Sequence, residues 1–318
     1  MDFIFFLAGL ALLYFGGEKL IQGSVAIAGR LGLSTLLVSM VIIGFGTSTP
    51  ELLVSVQAAL KGSSDIALGN IVGSNICNIL LILGISAFIT RVSCDSHPVR
   101  RDAAAVAAAS LLLVLLCQGE ALGRVAGAGL FVLLAGYLYY CVTLEHKTKK
   151  ERKADSLHEK HITADHAVKP MAMPKAAAIT VISLGALMLG ANLMVTAAVS
   201  MARKFGVSEA VIGLTLVAVG TSLPELATAI VAARKKHHDV IIGNILGSNL
   251  FNILGILGIT GIVAPITVTP RIAAADVWVM LAAALALLFI IYVRKVVYRM
   301  DGVLFLSAYA AYLAWLCH

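Results

Sequence analysis

Two glutamates, Glu51 and Glu225, occupy equivalent places in two apolar segments that repeat each other almost residue for residue. Residues 46–51 read GTSTPE and residues 220–225 read GTSLPE, 174 positions further on (225 − 51). A carboxylate at the centre of a membrane helix costs roughly 2.5–3.5 kcal/mol, so it persists only where it faces water, a partner or a cation. These segments contain no Lys or Arg in their interior. We therefore favour ion coordination or proton carriage over a buried ion pair.

A second duplicated segment follows each acid at the same offset (243 − 69). Residues 69–80 read GNIVGSNICNIL and residues 243–254 read GNILGSNLFNIL. Each copy has a serine and an asparagine four positions apart, which places them on one helix face, where hydroxyl and amide oxygens can point at one cavity. These residues are Ser74 with Asn78 and Ser248 with Asn252.

Other residues of the second segment have a simpler interpretation as packing residues. The G-x-x-x-G pairs at 69–73 and 243–247 favour close contact between helices. Asn75 and Asn249 lie one position round the helix from the serines, and we expect them to hydrogen-bond to a neighbouring helix.

A proline precedes each acid and should break the helix there. Proline lacks an N–H and clashes with the carbonyl four residues back, so Pro50 and Pro224 should release backbone carbonyls near 46–47 and 220–221. Free carbonyls at membrane depth are tolerated where they line a cavity or are buried in protein. Both copies carry the proline, which argues against a kink used for packing alone.

The combined set of carboxylates, carbonyls, hydroxyls and amides consists of hard oxygen donors. Such donors suit Ca²⁺, which takes 6–8 oxygens at about 2.3–2.6 Å, and two glutamates neutralise one divalent ion. Zinc and copper prefer thiolate and imidazole ligands. All eight histidines lie in loops or at the chain end, and the five cysteines form no C-x-x-C pair. We therefore expect no enzyme and no resident cofactor.

The composition of the chain indicates what must position these residues. Hydrophobic residues make up 60% of the 318 and charged residues 13%, whereas a soluble domain has about 25% charged residues. The chain is thus a polytopic, all-α membrane protein, and residues 3–28 are a first membrane helix rather than a removed signal peptide. Its net charge of +7 lies in loops and requires no nucleic acid. The lipid bilayer is the expected partner, and no protein partner is implied.

Ten apolar stretches are long enough to span the hydrocarbon core as helices. Five precede a polar segment and five follow it, so the halves must enter the membrane from opposite sides as inverted repeats. The predicted units are residues 1–144, a linker at 145–175 and residues 176–318. The predicted spans are 3–28, 35–60, 65–90, 99–117, 123–144, 176–200, 208–233, 239–264, 272–294 and 301–317.

The distribution of lysine and arginine predicts the orientation of the chain. The loops on the linker side carry 18 of these residues and the loops on the other side carry 5. Basic residues favour the cytoplasmic side, so we expect the linker in the cytoplasm and both termini outside. The linker should be a surface connection, too short for a regulatory domain. Glu18, in the first span, either lines an access path or extends toward an interface.

At the duplicated segments the chain resembles the calcium/cation antiporter superfamily, and within it the prokaryotic sodium/calcium exchangers. The motifs G-T-S-x-P-E and G-N-x-x-G-S-N-x-x-N are similar to the two signature repeats of that family. The resemblance implies that the second, third, seventh and eighth helices surround the ions. It also implies that the first and sixth helices are long, tilted and mobile.

The resemblance also implies roles for individual residues of this chain. Glu51 and Glu225 would be the central acidic ligands, and Asn78 and Asn252 would lie in the middle of the cavity. Many family members have an aspartate where this chain has Asn252, so a third acid is missing here. Backbone carbonyls would come from Thr47, Thr221, Gly44 and Ala218, and flanking sodium sites from Ser48, Ser222, Ser74 and Ser248.

These observations predict secondary antiport, in which Ca²⁺ leaves the cytoplasm while Na⁺ enters at the inner (plasma) membrane. Both ions would compete for the same two carboxylates. One alternative keeps the fold but couples Ca²⁺ to H⁺, because burial favours protonated glutamates. A cation channel is the alternative from a different class, since repeated acids can form a selectivity ring.

Overall fold

The computed structural model describes residues 1–155, 171–204 and 218–316, which fold as helices joined by short turns. The all-α class predicted from hydropathy is confirmed. The helices are α1 Asp2–Leu31, α2 Thr35–Thr47, α3 Thr49–Leu60, α4 Ser64–Ile89, α5 His97–Leu116, α6 Arg124–Asp155, α7 Met173–Lys204, α8 Ala218–Gly220, α9 Leu223–Arg234, α10 His238–Val263, α11 Ile272–Arg294 and α12 Arg299–Leu316.

Six of the described helices are long and apolar enough to cross a membrane, or up to seven if the bent pair α2 and α3 is one span. The six are α1, α4, α7, α10 and α11, together with Arg124–Lys147 of α6. The predicted seventh span, 208–233, is described only in α8 and α9, and its first part lies outside the described residues. The expectation of ten spans therefore stays a prediction.

The predicted linker, 145–175, is partly helical. Helix α6 continues through the first part of the linker to Asp155, and α7 begins at Met173. Residues 156–170 lie outside the described residues.

Two short antiparallel strand pairs, which hydropathy did not predict, join the halves of the chain. Strand β1 (Val92–Ser93) pairs with β4 (Val296–Val297), and β2 (Ala121–Leu122) pairs with β3 (Ile266–Thr267). Each pair unites one loop from the first half with one from the second. The loops of a pair are also loops that the charge count assigns to the same side of the membrane.

Helices α4 and α10 form the centre of the described fold. Of the most apolar 18 residues of each helix, 100% are buried in α10 and 78% in α4, against 33% in α1 and 28% in α7. Apolar side chains of α4 and α10, such as Ile71, Ile79 and Ile245, are fully or almost fully buried. The duplicated serine and asparagine positions therefore lie on the two central helices.

Helices α1 and α7 pack against each other along their length in antiparallel orientation. A Cβ atom added to Gly9 would lie 2.7 Å from the carbonyl oxygen of Gly190, and one added to Gly16 would lie 3.3 Å from that of Ser183. The two contacts are equivalent under the 174-residue offset, because Gly190 corresponds to Gly16 and Ser183 corresponds to Gly9. Glycine is needed at this crossing because a side chain would force the backbones apart.

The peripheral helices are held by a buried aspartate in each half. The Tyr137 hydroxyl donates to Asp102 Oδ1 at 2.6 Å, and the Tyr312 hydroxyl donates to Asp276 Oδ1 at 3.0 Å. These bonds join α6 to α5 and α12 to α11. Asp102 and Asp276 are related by the same offset (276 − 102), so the repeat extends into the outer helices.

Candidate functional site

The helix breaks predicted at the two prolines occur at matching serines. Helix α2 ends at Thr47, and the next residue, Ser48, has φ −83° and ψ 7°. Helix α3 follows at an angle of 45° to α2. Before α9, Ser222 has φ −89° and ψ 8°. Pro50 and Pro224 occupy the first turn of the helices that follow, where the missing N–H has no helical partner to lose. Each acid therefore begins a helix immediately after a break.

The two glutamates lie in the interior of the protein and are linked across the repeats. Glu51 is 1% exposed and Glu225 is 2% exposed. Ser222 Oγ donates to Glu51 Oε1 at 3.1 Å, and Ser48 Oγ donates to Glu225 Oε1 at 2.9 Å. The two carboxyl groups also lie close enough to repel each other when both are charged. The structure thus brings both acids and both serines into one cluster.

Several buried oxygens of the residues predicted to form the site have no hydrogen-bond partner among the described residues. The second carboxyl oxygen, Oε2, of both Glu51 and Glu225 is buried and unpaired, as are the side-chain oxygens of Asn78 and Asn252 and the hydroxyl of Thr221. None of the ion pairs between described side chains involves either glutamate. Buried acceptors without donors are costly, so this set fits a bound cation.

Two asparagines that sequence reasoning missed hold the glutamate backbones. Asn70 Nδ2 donates to the Glu51 carbonyl oxygen at 3.1 Å and to Ser55 Oγ at 2.9 Å. Asn244 Nδ2 donates to the Glu225 carbonyl oxygen at 3.4 Å. These residues are the asparagines of the duplicated G-N dipeptide, so their repetition at the 174-residue offset was the available signal. They fix the start of α3 and α9 against α4 and α10.

The Gly44 carbonyl, expected as a cation ligand, is already engaged. It accepts from Ser48 N at 3.2 Å and from Ser248 Oγ at 3.3 Å. A Cβ atom added to Gly44 would lie 2.9 Å from Ser248 N, so glycine permits this approach of α2 to α10. Ala218 begins α8, and its side chain lies outside the described part of the chain.

The two threonines of the repeats differ in their contacts. Thr47 Oγ1 lies 2.8 Å from the carbonyl oxygen of Ile43, to which it donates, whereas the Thr221 hydroxyl is buried without a partner among the described residues. Their backbone carbonyls stay candidate ligands by position. Both side chains nevertheless lie close enough to interact with the glutamate of the other repeat, Thr47 with Glu225 and Thr221 with Glu51.

The serine and asparagine pairs of α4 and α10 lie next to π-helical turns. Ser74, Asn78, Ser248 and Asn252 are each at most 5% exposed. A π-helical segment begins at Cys77 in α4 and at Phe251 in α10, which is the same position in both repeats. Such turns widen a helix locally and occur frequently at functional sites.

The expected role of Asn75 and Asn249 was wrong, because both bond within their own helix. Asn75 Nδ2 donates to the Ile71 carbonyl at 2.8 Å, and Asn249 Nδ2 donates to the Ile245 carbonyl at 2.6 Å. The carbonyl four residues back is in reach of the side chain, so no neighbouring helix is required. The packing interpretation of the glycines agrees with the contacts of Gly243 and Gly247 on Leu36 and Met40 of α2, whereas no described atom lies within 4 Å of a Cβ atom added to Gly73.

A cavity of about 500 Å³ lies between α3 and α7. Its lining includes Pro50, Gly220 and Thr221, together with Gln57 and Asn192. Both apolar and polar side chains line it. Because Pro50 directly precedes Glu51 in the chain, the cavity lies beside the start of the helix that carries this acid.

Comparison with known proteins identifies the family. The model of the sodium/calcium exchanger protein family matches residues 1–143 and 175–317. The chain belongs to this family. It is therefore a multi-pass membrane protein and a cation/Ca²⁺ antiporter. Among its relatives, a protein of Alkalimonas amylolytica that bears the antiporter name CaxA is 36% identical, with 97% of this chain and 96% of the relative covered.

Two further exchangers are similar to this antiporter over nearly its whole length. The sodium/calcium exchanger MaX1 of Methanosarcina acetivorans is 30% identical, with 98% of this chain and 97% of that protein covered. The solved structure of the sodium–calcium exchanger NCX_Mj aligns with a TM-score of 0.83 at 27% identity, covering 98% of this chain and 97% of that one. The exchanger fold is thus shared over nearly the whole chain.

Proposed function

We propose that the chain exchanges Ca²⁺ for Na⁺ by alternating access, with one cation site between the two repeats. The observation that carries this proposal is the pair of buried glutamates. Each accepts a hydrogen bond from the serine of the other repeat and keeps one unpaired oxygen. Two negative charges in a site of low dielectric are matched by one Ca²⁺ or by two Na⁺. Binding of one ion therefore disfavours the other, which is the basis of exchange.

The proposed ligands extend from the acids to the surrounding oxygens. The middle of the site would be formed by Glu51, Glu225, Asn78 and Asn252, and carbonyl or hydroxyl ligands would flank it. Ca²⁺ and Na⁺ enter as substrates and no resident cofactor is proposed. The flanking residues are Thr47, Thr221, Gly44, Ala218, Ser48, Ser222, Ser74 and Ser248.

We also propose the membrane arrangement predicted from the sequence. Units 1–144 and 176–318 would be inverted five-helix repeats in the plasma membrane, joined by a cytoplasmic linker, with both termini outside. The antiparallel contact of α1 with α7 supports this arrangement. The strand pairs support it as well, because each joins loops predicted on the same side.

Proton coupling is a second candidate, favoured by one observation. Neither glutamate has a basic partner among the described side chains, so protons are the other means of neutralising the acids. In that case the same site would exchange Ca²⁺ for H⁺.

Uptake of ⁴⁵Ca²⁺ into vesicles under imposed ion gradients tests these proposals. A sodium gradient at fixed pH should drive uptake, and uptake should reverse when the gradient is reversed. A pH gradient without sodium that drives uptake equally well would favour proton coupling. Uptake that does not saturate and needs no counter-ion would favour a channel and overturn the antiport proposal.

A further inference from the structure

The two halves of the molecule repeat in sequence but differ in how α1 and α7 meet the helices that carry the acids. Helix α1 packs on α9, and a Cβ atom added to Gly17 would lie 3.4 Å from Thr228 Cα. One position later, Glu18 Oε1 lies 2.6 Å from Lys235 Nζ, at the end of α9. Lys19 points elsewhere and donates to Gln22 at 3.1 Å. Backbone contact and an ion pair thus join α1 to α9 at Gly17 and Glu18, and the cavity of about 620 Å³ between these helices is lined by earlier residues of α1, up to Phe15.

At the equivalent place in the other half, a cavity lies between α7 and α3. Residues that correspond to Gly17, Glu18 and Thr228 are Ala191, Asn192 and Val54, and all three line the cavity of about 500 Å³ between α7 and α3. Lysine is present in both halves, since Lys61 corresponds to Lys235 (235 − 61 = 174). Glu18, in contrast, has no acidic counterpart, because Asn192 occupies the equivalent position.

In a protein built from inverted repeats, each half can adopt the conformation of the other half. We therefore expect a second state of the molecule, in which α7 packs on α3 and α1 separates from α9. Asn192 would then face Lys61, and an amide cannot form an ion pair. Hence the closing ion pair exists in one of the two states. A small free-energy difference is decisive when two states are nearly balanced.

We propose that Glu18 and Lys235 are positioning residues that determine which side of the site is open. Their ion pair holds α1 on α9 and so favours the state with the α3–α7 cavity open. In the antiporter function proposed above, on which this role rests, the pair sets the share of time that the site is accessible through that cavity. Both side chains are partly exposed, at 34% for Glu18 and 40% for Lys235, so the expected shift is roughly two- to fivefold.

Labelling of a cysteine in the cavity measures this share directly. Gln57 lines the cavity and is exposed, whereas the corresponding residue of the other half, Val231, is 2% exposed. A Gln57→Cys side chain should therefore react with a thiol reagent when the cavity is open and be shielded when it is closed. The protein is purified into lipid nanodiscs without Na⁺ or Ca²⁺, and the unsubstituted chain is labelled in parallel to account for its own cysteines.

In the Gln57→Cys background, Glu18→Gln and Lys235→Gln should each lower the labelling rate about two- to fivefold. Asn192→Glu, which supplies the missing acid to the second state, should lower it as well. Lys61→Gln is the matched control: alone it should leave the rate unchanged, and it should cancel the effect of Asn192→Glu. The double reversal Glu18→Lys with Lys235→Glu should restore the original rate.

Unchanged labelling in both Glu18→Gln and Lys235→Gln would overturn the proposal. It would also be overturned if the double reversal labelled as slowly as the single variants, because loss of general packing would then explain the effect. The readout does not require transport. If labelling shifts as expected but vesicles show no exchange, the proposed function fails and the positioning role of the pair in the conformational equilibrium stands.

Discussion

Ser48 Oγ donates a 2.9 Å hydrogen bond to Glu225 Oε1, so a hydroxyl from the first repeat holds the acid of the second. The converse bond, from Ser222 Oγ to Glu51 Oε1, is 3.1 Å long. Neither repeat therefore has a complete site by itself. Each acid keeps its second oxygen unpaired among the described residues, and this oxygen is the one that the proposed cation would contact.

Replacing either acid should abolish exchange. Glu51→Gln and Glu225→Gln each remove one of two charges while keeping the shape of the side chain, so one Ca²⁺ would no longer be neutralised. We expect Na⁺-driven ⁴⁵Ca²⁺ uptake to fall at least about tenfold, since loss of a charged partner in a buried site costs several kcal/mol. Asp65→Asn, at an exposed carboxylate, should retain uptake. Normal uptake by either site variant would contradict the assignment.

The cross-repeat hydroxyls should contribute less than the acids. Ser48→Ala and Ser222→Ala each remove one hydrogen bond to a carboxylate, and bonds to charged groups contribute about 1.5–3 kcal/mol. We expect roughly a 10- to 100-fold loss of apparent affinity for Ca²⁺ or Na⁺ in concentration series. Ser86→Ala is the control, because Ser86 Oγ bonds to the Ile82 carbonyl of its own helix. Equal effects in the site and control variants would mean that any buried serine matters as much.

A third acid should change the charge carried per cycle. Both polar atoms of the Asn252 side chain are buried and have no hydrogen-bond partner among the described residues, so Asn252→Asp would add a charge to the proposed site. With two acids in the site, one Ca²⁺ would exchange for two Na⁺, which carry the same total charge. No net charge would then cross the membrane, and uptake should be insensitive to membrane potential. With three acids, binding of a third Na⁺ becomes favourable and uptake should depend on the potential. Vesicles with a potassium-clamped potential measure this difference.

The original protein is the reference for that experiment. Asn78→Asp, at the repeat-related position, should behave like Asn252→Asp. If uptake by the unsubstituted protein is already driven by the potential, charge balance by two glutamates alone is the wrong description of the site.

Close packing of α2 on α10 should be sensitive to a single methyl group. A Cβ atom at Gly247 would collide with the Met40 backbone, including its carbonyl oxygen. Gly247→Ala should destabilise the protein by about 1–3 kcal/mol, seen as a lower midpoint of thermal unfolding in detergent. Gly129→Ala is the control, because no described atom lies within 4 Å of its added Cβ. Equal midpoints in the two variants would contradict this packing.

Hydropathy and the internal repeat predicted most of the helix positions. The stretch predicted at 65–90 is a helix at Ser64–Ile89, and the one predicted at 272–294 is a helix at Ile272–Arg294. Long apolar runs carry this information because the bilayer fixes the length of a spanning helix. Strands of two residues have no detectable period, so β1 to β4 could not be found in this way.

Contacts between the halves were beyond the reach of the sequence. The repeat shows that Ser48 and Ser222 are equivalent, but it does not show that each bonds to the acid of the other half. Similarly, Glu18 could be recognised as a deep acid, whereas its partner Lys235 lies 217 residues further along the chain. Such pairings depend on how the helices cross, and local patterns contain no measure of that geometry.

The strand pairs β1–β4 and β2–β3 limit how the molecule can move. They fasten the loops around α5, α6, α11 and α12 to each other at both ends of the bundle. The halves consequently cannot separate at either end of the bundle without breaking one of the two strand pairs. A movement of α1 and α7, which carry no strand of either pair, would leave both pairs intact.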